Sequence, residues 1–159
     1  MQEDSQNLEH NMTNQDEIKK FLFDHLQSIF DNDLDHYHAT TNEDLTLYEW
    51  FVTPHRLDGL PFHDFMMSEN ARRNTVFGAD VDYENLAEVN SRFDLSNLLI
   101  QEYDNTAICS YTLLVSSGTG SGVKVVAHNE SRVIIKIDHH WKVVHVHKSP
   151  AYQAPHQEI

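Results

Sequence analysis

The stretch Asp138–Pro150 reads DHHWKVVHVHKSP, and the architecture turns on what it forms. Valines and a tryptophan framed by turn-forming residues mark a strand. Side chains of a strand alternate between its faces, so Trp141, Val143, His145 and His147 share one face, and Lys142, Val144, Val146 and Lys148 the other. Two imidazoles two residues apart can be metal ligands, acid–base groups of a pocket, or polar residues on a wet sheet.

Upstream, the same alternation predicts strands at roughly 93–101, 106–116 and 123–137, with Tyr103-Asp104-Asn105, Ser116 to Gly122 and Asp138-His139-His140 as turns. The run 123–137 is long enough to bend or carry a bulge. Leu45 to Val52 is aromatic-rich and reads as an earlier strand. The N-terminal part is helical instead. Ile18, Phe21, Leu22, His25, Leu26 and Ile29 follow helical spacing, and Asn14 with Glu17 has the form of a capping box. Leu34 to Thr40 reads as a short second helix carrying Tyr37. Asp58 to Asn70 reads as a third, with Phe62, Phe65 and Met66 as its apolar face. Helices followed by an antiparallel meander make an α+β fold: a curled antiparallel sheet with helices on its concave face and a cavity between them.

Composition narrows the function. The chain has 159 residues, 11 Lys plus Arg against 25 Asp plus Glu, and a formal net charge of −14. One domain is expected over 14–150, with polar tails at 1–13 and 151–159. The charge balance argues against nucleic acid as a partner, which needs a basic footprint. No apolar run approaches a membrane span and no signal peptide is visible, so the reading is a cytoplasmic protein with no membrane partner. The single Cys109 sits in an apolar alternation and reads as a buried thiol.

The motifs then carry a resemblance. LTLYEWFVTPHRLDGLPFHDF from Leu45 and NESRVIIKIDHHWKVVHVHKSP from Asn129 resemble the association (hub) domain of calcium/calmodulin-dependent protein kinase II. That domain has the SnoaL-like, nuclear-transport-factor-2-like cone fold, within the cystatin-like class. Tyr48-Glu49, Gly59-Leu60-Pro61-Phe62-His63-Asp64-Phe65, Glu130-Ser131-Arg132-Val133 and Trp141 through Ser149 answer its motifs in order. Three departures stand out. The chain holds no kinase domain, the segment Ala71 to Ser91 is longer than its counterpart, and Lys148 and Lys124 stand where the hub has other basic residues. Lysine is a point charge, so bidentate carboxylate recognition is weakened there.

The resemblance implies a homo-oligomer, a dimer or larger ring built through the sheet. It also implies a cavity holding Tyr37, Glu49, His63, Arg132, His145 or His147, and Lys148. Two arrangements remain open for it. Arg132 and Glu49 can pair with each other, or Arg132 can receive a small carboxylate or aromatic ligand. A cofactor-free isomerase, cyclase or lyase is the alternative, as in relatives of this superfamily, with Glu49, His63 or Asp64 as base and Tyr37 and Arg132 as donors. No cofactor is expected. His145 and His147 lack a third metal ligand nearby in sequence, so no metal is expected either.

Overall fold

The computed structural model describes residues 13–73, 90–119 and 121–151. The expectations for the two tails and for the long segment after Ala71 fall largely outside the described residues. The elements are α1 (Asn14–Phe30), α2 (Leu34–Thr40), β1 (Thr41–Glu49), β2 (Leu57–Asp58), α3 (Pro61–Arg73), β3 (Asn90–Tyr103), β4 (Thr106–Thr119), β5 (Gly122–Ile137) and β6 (His140–Pro150).

Helix α1 buries Ile18, Leu22 and Leu26 almost completely, the stripe its spacing predicts. Its cap lies one residue earlier than the box motif suggests: the Thr13 hydroxyl accepts from the Asp16 amide, because the side chain preceding the helix is the one that reaches the free N–H groups. Asp33 caps α2 in the same way through the His36 amide. Helix α3 presents His63 and Met67 inward, one turn apart. Phe65, assigned above to its apolar face, is 63% exposed. The helix begins at Pro61 rather than Asp58, and its buried side runs through His63 and Met67.

Strands β3 to β6 form the expected antiparallel meander, with β6 also pairing with β1, in the order β2-β1-β6-β5-β4-β3. The β1–β6 pairing is parallel, which makes the sheet mixed. At the β5–β6 hairpin, Asp138 (φ 49°) and His139 (φ 67°) take the left-handed backbone of a two-residue turn.

One irregularity governs the site. Val133 opposes His145 while Ile134 opposes Val143, so Val144 is an extra residue on β6. A bulge of this kind reverses the phase of a strand. Trp141 and Val143 face the helices before it, and Val146 and Lys148 after it. The alternation proposed for β6 therefore fails beyond Val144: His145 and His147 leave the inner face and Lys148 joins it.

Inward side chains from β1, β4, β5 and β6 meet α1 in one core, which includes Leu45, Leu47, Ala107, Cys109, Leu113, Val115, Ile134 and Val143. Phe93 on β3 stacks between Phe23 and Phe30, with ring centroids 6.0 and 4.8 Å away. Leu22 is fully buried, so Leu22→Ala is expected to cost about 2–5 kcal/mol, read as a lower urea midpoint. A loss below about 1 kcal/mol would mean that α1 is not seated on the sheet as described.

Outward residues line up in rows across the strands. One row is Leu99, Ser110, Ser131, His147 and Tyr48. Beside it run Gln101, Ile108, Val133, His145 and Thr46 on one side, and Ser96, Thr112, Asn129 and Ser149 on the other. From β3 to β1 these rows contain no Asp, Glu, Lys or Arg, and on β2 the partner of Thr46 is Asp58, bound to Arg56.

Candidate functional site

The inner face carries a row of opposite character. Glu49, Lys148, Glu130 and Tyr111 are successive cross-strand partners on β1, β6, β5 and β4. All four point toward the helices, and Arg132 stands two residues from Glu130 on the same side of β5. Lys148 Nζ donates to Glu49 Oε1 at 2.8 Å and lies 4.0 Å from Glu130 Oε2. Tyr111 OH donates to Glu130 Oε1 at 2.8 Å. Arg132 forms an ion pair with Glu130 and a hydrogen bond to Tyr111.

The helices complete the network. His63 of α3 has Nε2 3.3 Å from Glu49 Oε1 and Nδ1 2.5 Å from the Tyr37 hydroxyl of α2. A carboxylate only accepts, so Nε2 carries the proton and the bare Nδ1 accepts from Tyr37. His25 of α1 meets Thr40 Oγ1 through Nδ1 at 2.8 Å. The Thr40 hydroxyl proton is directed to a backbone carbonyl of α2, so Nδ1–H of His25 is the donor.

These contacts overturn the suggested Arg132–Glu49 pair. Glu130 neutralises Arg132, and Lys148 neutralises Glu49, to which His63 adds a hydrogen bond. Burial removes a carboxylate from water and raises its pKa, yet around Glu49 the attraction of Lys148 and His63 outweighs that effect and holds it at about 2. For Glu130, burial is likewise outweighed, by Arg132 first and then Lys148 and Tyr111, and its pKa is lowered. Arg132 is pushed up despite its burial, by Tyr111 and Glu130. Burial, reinforced by the two cations, drops His25 well below the usual imidazole value.

A cavity of about 20 Å³ lies among His25, Tyr37, Glu49, His63, Arg132 and Lys148, walled otherwise by aliphatic side chains. That is room for about one water. Glu49 Oε2 and Arg132 Nε, both on lining residues, are buried without a hydrogen-bond partner. Of the residues singled out from sequence, Tyr37, Glu49, His63, Arg132 and Lys148 meet at this cavity. His145 and His147 lie on the opposite side of the sheet: His145 Nδ1 is 2.8 Å from Thr46 Oγ1, and His147 packs 5.3 Å from the Tyr48 ring. Asp64 is partly exposed and pairs with His38 at 2.6 Å, away from the cavity. No cluster of three or more metal-ligating side chains occurs among the described residues. His25, Glu130 and Tyr111 were missed from sequence. The shared parity of Glu130 and Arg132 was the available signal for one of them.

The family model for the calcium/calmodulin dependent protein kinase II association domain matches residues 14–152. The chain belongs to this family. Structural comparison agrees on the fold of the association domain. The CaMKII hub of S. rosetta is 23% identical over 84% of this chain and 94% of its own, with a TM-score of 0.67. A CaMKII hub homology domain from the alga Chlamydomonas reinhardtii is 20% identical over 88% and 100%, at 0.72. An NTF2-like protein from Cytophaga hutchinsonii is 15% identical over 87% and 99%, at 0.59. A search of curated proteins returned no match. Among the described residues of this association domain, no helix is long and apolar enough to cross a membrane.

The buried network fixes a pH response. His25 prefers to be neutral in the folded state, so the unfolded chain binds protons more readily below its ordinary value of 6.5. Stability is full above that pH and declines as pH falls. Glu49 and Glu130 add stability that is full above the ordinary value of 4.5 and is lost as pH falls below it, for Glu49 toward about 2. The urea midpoint is expected to drop from pH 7.5 to 5.5 and again toward pH 3. A midpoint unchanged over the first interval would contradict the buried neutral imidazole.

Proposed function

We propose that this chain is a self-assembling association domain whose copies meet through the outer face of the sheet. One observation carries the reading. A chain with a net charge of −14 keeps three adjacent rows of that face, from β3 to β1, free of any charged residue. Like-charged copies can approach closely only through a surface that adds no repulsion of its own. Interface cores are depleted of charge and ringed by it. Here the Arg92–Asp94 pair, the Arg56–Asp58 pair and Lys142 surround the rows. Leu99 at 57% and Tyr48 at 37% exposure supply apolar and aromatic surface within them. Membership of the association-domain family supports the same role.

Assembly ties stability to concentration, because mass action favours the folded, associated state. The thermal midpoint is expected to rise when protein concentration is raised a hundredfold. A midpoint independent of concentration would count against assembly.

A second reading concerns the cavity. The two buried polar atoms without partners, an acceptor on Glu49 and a donor on Arg132, match in chemical type a small carboxylic acid in its neutral form, whose C=O would accept from Arg132 Nε and whose O–H would donate to Glu49 Oε2. The cavity as it stands holds about one water, so even formic or acetic acid requires the lining side chains to move apart, and an aromatic ring requires far more. A thermal-shift series of acetate, acetamide and benzoate tests this, with stabilisation expected from the first and lost in Glu49→Gln. The isomerase alternative gains less support: a carboxylate held at about 2 and already ion-paired makes a weak base.

A further inference from the structure

We propose that protonation of His145 and His147 opens the assembly, so that the outer face is a pH-sensitive contact. This inference rests on the assembly reading above and adds its regulation.

The bulge at Val144 turns both imidazoles outward, into the middle of the charge-free rows. His147 sits beside Ser131 of β5 and Tyr48 of β1, and His145 beside Val133 and Thr46. Farther along the rows, β4 offers Ser110 and Ile108. The titratable or charged groups on this side are Tyr48 within the rows and, around them, Asp58 bound to Arg56 at the β2 edge, Asp94 bound to Arg92, Tyr103 and Lys142. The carboxylate at the end of the His145 row, Asp58 beside Thr46, is already held by Arg56. Histidine is the side chain whose charge ordinarily changes between pH 5 and 8. Neutral, these residues preserve the uncharged contact. Protonated, they place two positive charges per copy where a partner's surface excludes water. A two-fold contact presents the same patch from both copies, so each cation faces a partner equally free of counter-charge.

The sign separates this device from the behaviour of the whole molecule. The sequence pI is about 5.1, so acidification from pH 7.5 to 6 removes net negative charge and weakens repulsion between copies. That general effect tightens assembly, and the local effect of the histidines loosens it.

Sedimentation velocity at pH 7.5 and 6.0, with circular dichroism to confirm folding, reads the outcome. The dissociation constant of the full chain is expected to rise roughly a hundredfold at the lower pH. The double variant His145→Gln/His147→Gln is expected to remain assembled at both. Assembly that is unchanged or tighter at pH 6.0 would overturn the proposal and leave the assembly reading intact, as would loosening that persists in the double variant. A chain that is monomeric at pH 7.5 would overturn both.

Discussion

Arg132→Ala is expected to destabilise the fold by about 3–5 kcal/mol, the cost of leaving a buried charge without its partner. Arg132 is 2% exposed and Glu130 3% exposed, and the two share an ion pair with Tyr111 bonded to both. Removing the guanidinium leaves the Glu130 carboxylate with Tyr111 and the more distant Lys148 Nζ. Urea denaturation at pH 7.5 measures the loss. The double variant Arg132→Leu/Glu130→Leu discriminates further. Replacing a buried pair with apolar residues of similar size is often close to neutral, so it is expected to recover most of the stability lost in the single variant. A single variant within about 1 kcal/mol of the parent would show that water reaches Glu130, and the enclosed network would have to be abandoned.

The second large effect belongs to the opposite face. Ser131 lies in the middle of the central outer row, paired with Ser110 on one side and His147 on the other, and its side chain is exposed. Ser131→Asp places a carboxylate inside the contact, facing the same residue's neighbourhood on the partner. Like charges brought together at an interface cost several kcal/mol, so a fall in association of roughly a thousandfold is expected at neutral pH. Sedimentation reads it, and the fold should survive because the substituted position faces outward. Full assembly of this variant would move the contact elsewhere on the surface.

The sequence spoke clearly where a periodic signal ran unbroken. The apolar stripe of α1 and the strand over 123–137 emerge in the structure as read, the latter with His128, Glu130, Arg132 and Ile134 buried on one face of β5. The signal failed at β6 because a bulge depends on pairing register, and Val144 is chemically an ordinary strand valine. That single insertion exchanged His145 and His147 for Lys148 on the inner face, and only the family resemblance had pointed to Lys148. The choice of ion partners was likewise invisible. Glu49 takes Lys148 because the parallel β1–β6 register sets them side by side, and nothing local in either strand specifies that register. His25 was legible as a core position but not as a donor to Thr40, since that contact depends on how α1 and α2 pack.

The inner and outer faces thus divide two tasks along the same strands. Alternation lets β5 send Glu130 and Arg132 into a closed, internally neutral network while Ser131 between them faces outward. The network lies inside the sheet's concave side, and the uncharged face behind it is the surface we propose for contact with a second copy.

The molar mass of the unmodified chain in solution at neutral pH, measured by multi-angle light scattering at micromolar concentration, bears most directly on the central claim. The account predicts a mass at a whole multiple of 18.5 kDa, two or higher. A single species at 18.5 kDa across the accessible concentration range would contradict it.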